Sequence, residues 1–221
     1  MRRSRVSILI ISVLFLLPAA VLAATSSPAM KPLFTKHSVS SADTALLNRY
    51  IREANQHLEN FRKSSQMSDF KKDEVDALKN SVDTAEQICV DRKLEFPSSL
   101  HLIRAEYFMI TGDFQSASQE AGIAQKKSKS DDEYFILAQT MNFFGRYNLR
   151  TGFYMQAINN FENSIELAEK KKLKGIIPRN YLGLREVYIH LGNGSEITGN
   201  MDKMIEYSYK EKDTLNIERG T

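Results

Sequence analysis

Apolar residues recur at steps of three and four along most of the chain. Leu47, Ile51, Ala54, Leu58 and Phe61 keep this step, and Val75, Leu78, Val82, Ala85 and Cys89 keep it again. That is the spacing of one face of an α-helix. Ser40-Ser41-Ala42-Asp43 offers the first helix an N-cap with an acid three residues on. The Ser64-Ser65 loop ends it, Ser68 can cap the second helix, and Pro97 with Ser98 and Ser99 closes the pair. Every glycine lies at or after Gly112, so residues 41–111 hold Pro97 as their only strong breaker.

Beyond this stretch glycine punctuates the pattern. Leu102, Ala105, Phe108 and Met109 share a face that Gly112 stops, and Phe114, Ala117, Ala121 and Ala124 form the face of a return helix. Ser130-Asp131-Asp132-Glu133 reads as a capping box opening a longer helix, with Ile136, Leu137, Met141, Phe144, Gly145 and Asn148 on its stripe and Gly152 at its end. Tyr154, Ala157, Phe161, Ser164 and Ile165 line the next helix. Pro178 suits the first turn of another, with Tyr181, Leu184 and Tyr188 facing inward and Gly192 breaking it. Two turn signals follow, Gly192-Asn193 and Gly199-Asn200. They imply a seven-residue insertion before a last helix over 201–210. No run alternates strictly enough to predict a strand. The expected fold class is all-α, about eight helices in antiparallel pairs.

Two of the glycine turns share a frame. TGDFQSA at 111–117 returns forty positions later as TGFYMQA at 151–157, matching Thr111 with Thr151, Gly112 with Gly152, Phe114 with Tyr154 and Ala117 with Ala157. The physical sense is a sharp turn at a glycine able to reach positive φ. An aromatic then packs into the crease between the two helices, and a small residue lets them approach. Gly145 is the same device inside a helix, where close packing compensates a propensity loss of ~1 kcal/mol. With the small residue inside the preceding helix, this frame resembles the tetratricopeptide repeat. One copy carries His101, Arg104, Ala105, Phe108, Gly112, Asp113, Phe114, Ala117, Ala121 and Ala124. The next carries Met141, Phe144, Gly145, Asn148, Gly152, Tyr154, Ala157, Phe161 and Ser164. Tyr181, Leu184, Tyr188 and Gly192 begin a third. The likeness covers residues 98–211 by pattern and 41–97 only in architecture, and an ordinary helical bundle with a chance frame is the alternative. The forty-residue step exceeds the ~34 of the family, which longer helices explain.

The resemblance implies a right-handed α-solenoid with a concave face lined by the first helix of each pair. On the second copy the register places Gln139, Asn142, Arg146, Leu149 and Arg150 there, and on the third Arg179, Leu182, Glu186, Ile189 and His190. Gln139, Asn142, Arg146, Arg150, Arg179 and Glu186 are therefore the candidate partner-binding residues. Arg146, Arg150 and Arg179 can form a basic stripe suited to a carboxylate or an acidic helix. Pairing with acids on the same surface is the alternative. The carboxylate clamp known in the family is not reproduced residue for residue, so no C-terminal-peptide specificity carries over.

The N-terminus sets the compartment. MRRSR precedes the apolar run VSILIISVLFLLPAAVLA, which closes on small residues, as a secretory signal does. Cleavage is expected after Ala23 or Ala24, and an uncleaved anchor is the alternative. The chain has 30 Lys and Arg against 27 Asp and Glu, but Arg2, Arg3 and Arg5 lie in this segment, so the remainder is balanced. The hint of nucleic-acid binding in a basic chain disappears with them. The expected organisation is a signal peptide over 1–23, a flexible leader over 24–40, a helix pair over 41–97, repeats over 98–212 and a tail over 213–221. The resemblance adds a bacterial, exported setting.

Catalytic and metal-binding patterns do not stand out. His37, His57, His101 and His190 have no metal-ligand spacing, and Cys89 is the only cysteine, placed on an apolar stripe. No phosphate loop or nucleophile elbow is present. Asn193-Gly194-Ser195 is a glycosylation sequon, relevant only in a eukaryotic secretory pathway. The lysine runs at 126–129 and 170–174 fit helix C-termini. The function expected is a non-enzymatic exported scaffold that binds a peptide, helix or partner domain, without cofactor or nucleic acid. Self-association through the last helix is a further expectation. A periplasmic small-ligand or peptide sensor acting with a membrane signalling partner is the alternative.

Overall fold

The computed structural model describes residues 40–63 and 68–211. Eight α-helices account for nearly all of them: α1 (Ser41–Lys63), α2 (Ser68–Asp91), α3 (Ser98–Thr111), α4 (Phe114–Ser130), α5 (Tyr134–Arg150), α6 (Tyr154–Lys171), α7 (Ile177–Leu191) and α8 (Gly194–Glu211). No strand occurs among the described residues. The expected signal segment, His37 and nearly all of the leader, the Ser64-Ser65 loop and the 213–221 tail lie outside them.

Each helix packs most extensively on its partner in sequence, giving the pairs α1–α2, α3–α4, α5–α6 and α7–α8. The pairs then join through α4 on α5 and α6 on α7, and the odd-numbered helices touch in succession. This is a solenoid-like stack of antiparallel pairs. Its core is continuous from pair to pair. Leu100 and Ile103 of α3 complete the core of α1 and α2, while Leu102, Ala105 and Met109 of α3 pack with α4 and with Phe143 of α5. A third cluster joins α5 to α8 around Phe161 and Val187.

The local devices mostly follow the sequence. Ser40 caps α1: its Oγ accepts from Asp43 N at 3.1 Å and donates to Asp43 Oδ2 at 2.7 Å. Gly112, Gly152 and Gly192 take φ of 88°, 82° and 68°, each ending one helix and releasing the next. Pro178 stands in the first turn of α7. Ala117 and Ala157 are fully buried where paired helices approach.

Four local expectations need correction. No capping box forms at 130–133. Ser130 and Asp131 finish α4, and Glu133 caps α5 without a side-chain bond to its backbone because its carboxylate accepts the Ser98 hydroxyl instead. The turn aromatics are not confined to the crease of their own pair. Phe114 lies edge-on to Tyr147 of α5 at 6.1 Å and Tyr154 stacks on His190 of α7 at 5.6 Å, because the first turn of a returning helix faces the pair that follows. The buried set of α5 is wider than one stripe: Ala138, Thr140 and Phe143 are fully buried. This helix contacts α3, α4, α6 and α7, so more than one of its faces is covered. Finally, no seven-residue insertion precedes the last helix. Asn193 Oδ1 accepts from Ser195 Oγ at 3.1 Å and Glu196 N at 3.4 Å, α8 starts at Gly194, and Gly199 is simply an interior glycine.

Gly145 has the packing reason its position demanded. A Cβ built there would fall inside the van der Waals shell of the Phe161 ring, and so would one at Gly183 of α7. One phenyl ring, fully buried, thus lies against two helices that both lack a side chain at the contact.

Candidate interaction cleft

The succession of odd helices puts α1, α3, α5 and α7 along one cleft of about 50 Å³. Asn55, Glu59 and Arg62 enter it from α1, Glu106 from α3, Gln139, Asn142 and Arg146 from α5, and Arg179 from α7. Its charged lining is three guanidiniums against two carboxylates, a surplus of one positive charge.

Glu106 is the centre. It is 5% exposed, on a helix whose other buried residues are apolar except for Ser98. A buried carboxylate requires partners. Arg146 grips it with both Nη atoms, Nη1 to Oε2 at 3.1 Å and Nη2 to Oε1, and Arg62 Nη2 donates to Oε1 at 2.9 Å. Burial alone would push this carboxyl upward. The Arg146 and Arg62 guanidiniums outweigh it, with Arg150 adding its charge, and hold the pKa down at about 2. Arg62 also donates to Glu59 at 2.6 Å, and Arg179 Nη2 stands 3.1 Å from the same Glu59 oxygen.

Hydrogen bonds continue the cluster into the core. Arg146 Nε donates to Asn142 Oδ1 at 3.1 Å, and Asn142 Nδ2 donates to Asn180 Oδ1 at 2.8 Å. Asn180 Nδ2 donates to Ser164 Oγ at 2.8 Å and to Ile176 O at 3.0 Å, and Ser164 Oγ donates to Ala138 O at 2.8 Å. Asn180 and Ser164 are fully buried, and this chain of donors and acceptors satisfies them.

Of the six candidate partner-binding residues, Gln139, Asn142, Arg146 and Arg179 line the cleft. Arg150 does not; its Nη1 donates to Met109 O at 3.2 Å. Glu186 is exposed and outside the lining. Further along α7, Ile189 is exposed and His190 turns to Tyr154. The basic stripe is not a row of free cations, since Arg146 and Arg179 are paired with acids of the same cleft. Sequence reasoning missed those acids and Arg62. A signal existed for Glu106, which is the one acid of α3 and stands midway between Leu102 and Met109.

Two shallower cavities lie elsewhere. One, of about 380 Å³, is bordered by Glu162, Glu166, Glu169, Glu196, Tyr181, Tyr188 and Lys203. The other, of about 450 Å³, lies between the α6–α7 turn and the end of α8. Among the described residues, no group of His, Cys, Asp and Glu could hold a metal ion, and no helix is long and apolar enough to cross a membrane. No protein-family model matches the chain, and no curated protein matches it.

Proposed function

We propose that the chain is a non-enzymatic, exported interaction scaffold of tetratricopeptide type, binding an acidic peptide, helix or partner domain along the cleft of its odd helices. The observation that carries this is the convergence of four helices on one lining with surplus guanidinium charge. Arg62 and Arg146 are held by Glu106, which fixes the shape of the cleft. Arg179, 41% exposed in its side chain and on Glu59 alone, is the cation most easily lent to a ligand carboxylate. Gln139 and Asn142 beside it can donate to and accept from a peptide backbone. Export rests on the N-terminal arginines and apolar run.

The test separates recognition from folding. Partners captured from an envelope fraction by the full chain are compared with those captured by an Arg179→Ala/Gln139→Ala variant. Loss of about tenfold in affinity at an unchanged melting temperature is expected. Equal capture by both proteins removes the cleft assignment.

A further inference from the structure

The larger outlying cavity is built by a tight reversal. α6 ends at Lys171, and Lys172 takes the left-handed conformation, φ 54°, without being glycine. Lys172 N then bonds Glu169 O at 3.2 Å and Leu173 N bonds Ala168 O at 2.8 Å, so two carbonyls of the last turn of α6 are covered. Leu173 folds back half-buried against the core, and Gly175, φ 76°, leads the chain into α7. The floor of the cavity is Ala168, Leu173, Ile177 and the Tyr207 ring. Its rim is Lys172, Lys174 and Lys210.

Among the described residues, the charges on this rim are not balanced. Lys172 and Lys174 make no ion pair or hydrogen bond with the described side chains, and Lys210 lies over the Tyr207 ring at 5.3 Å. The one carboxylate, Glu169, accepts the Tyr207 hydroxyl at 2.5 Å. That bond pushes the Tyr207 pKa up to about 12, so the phenol stays neutral and adds no negative charge. Cations at the end of α6 suit its dipole, but Lys174 lies beyond the helix and the dipole does not explain an apolar floor. The neighbouring 380 Å³ cavity has the opposite sign, with four glutamates and one lysine, and repels an anion. A volume of about 450 Å³ is within the range of organic-ligand sites.

We propose that this cavity binds an amphiphilic carboxylate, a small molecule with one acid group and an aliphatic or aromatic tail. The tail lies on Ala168, Leu173, Ile177 and Tyr207, and the acid group sits among Lys172, Lys174 and Lys210. The proposal is independent of the cleft and shares no residue with it.

Decanoate is the probe, titrated into the purified full chain by calorimetry. Decyltrimethylammonium and vesicles of anionic phospholipid form the comparison arms. Saturable decanoate binding at one site is expected, with little affinity for the cationic amphiphile. Lys174→Glu/Lys210→Glu should weaken binding by about tenfold or more, because two exposed charges close to the acid group change sign. Leu173→Ser should weaken it through the floor, and Arg179→Ala should leave it unchanged. Equal binding by the lysine variant, equal affinity for the cationic amphiphile, or recruitment by vesicles with no binding of free decanoate would each overturn the assignment.

Discussion

Replacing Glu106 by Gln removes one charge from the centre of the cleft and little else. In the folded chain the carboxyl has a pKa of about 2 against an ordinary value of 4.5. By proton linkage that difference is worth about 3 kcal/mol at pH 7. Leaving the Arg62 and Arg146 guanidiniums without their carboxylate points to a similar figure, about 3–5 kcal/mol for a broken buried pair. Either value is a large part of the ~5–15 kcal/mol that holds a typical domain together. The sign follows from the depressed pKa. The contribution is fully present above pH 4.5 and is lost as pH falls through about 2. The assay is urea unfolding of the parent and the Glu106→Gln variant, with the difference between them followed against pH. Taking the difference cancels the other carboxylates. It should be about 3 kcal/mol at pH 7, shrink to about 1.4 kcal/mol at pH 3 and be nearly gone below pH 2. A variant within ~0.5 kcal/mol of the parent at pH 7, or a difference flat across this range, refutes the reasoning. A cycle with Arg146→Met then apportions the pair: the two changes should be strongly non-additive.

Gly145→Ala and Gly183→Ala should each destabilise the chain by about 1–3 kcal/mol through overpacking against Phe161, less up to ~1 kcal/mol of improved helix propensity. Phe161→Leu should relieve both in thermal melts, and glycine variants that melt with the parent would remove the wedge. Tyr207 should titrate by ultraviolet absorbance near 12, and Glu169→Gln should return it toward 10. Its raised pKa favours the fold below pH 10 and ceases to do so as pH rises through about 12.

The helices were legible because their signals are local. A step of three or four residues, a glycine able to reach positive φ and a proline in a first turn all lie within a few positions of the structure they determine. The start of α8 was misread for the same reason. Gly199-Asn200 is as good a turn signal as Gly192-Asn193, and only packing of Met204 and Asn200 against the core decides that the helix runs through it. In the cleft, Gln139, Asn142, Arg146 and Arg179 could be found by counting along the odd helices. Their partners could not. Glu106 lies 40 residues from Arg146 and 44 from Arg62, and no periodicity specifies which acid meets which base across three pairs. The first pair, which fits the repeat pattern least well, supplies Glu59 and Arg62 by docking rather than by motif.

The ring of Phe161 blurs the boundary of a module. In a stack whose stability is a sum of units and joints, a unit can be copied, deleted or moved if its contacts divide cleanly at the joint. Here the same side chain fills the contact inside α5–α6 and the contact with α7. Cutting between α6 and α7 would leave a half-open slot on one side, and any newcomer placed after α6 would have to present a residue without a side chain where Gly183 stands. The transferable piece at this point is α5, α6 and α7 together, and a chimera that respects this frame should tolerate exchange better than one cut at the Gly175 turn.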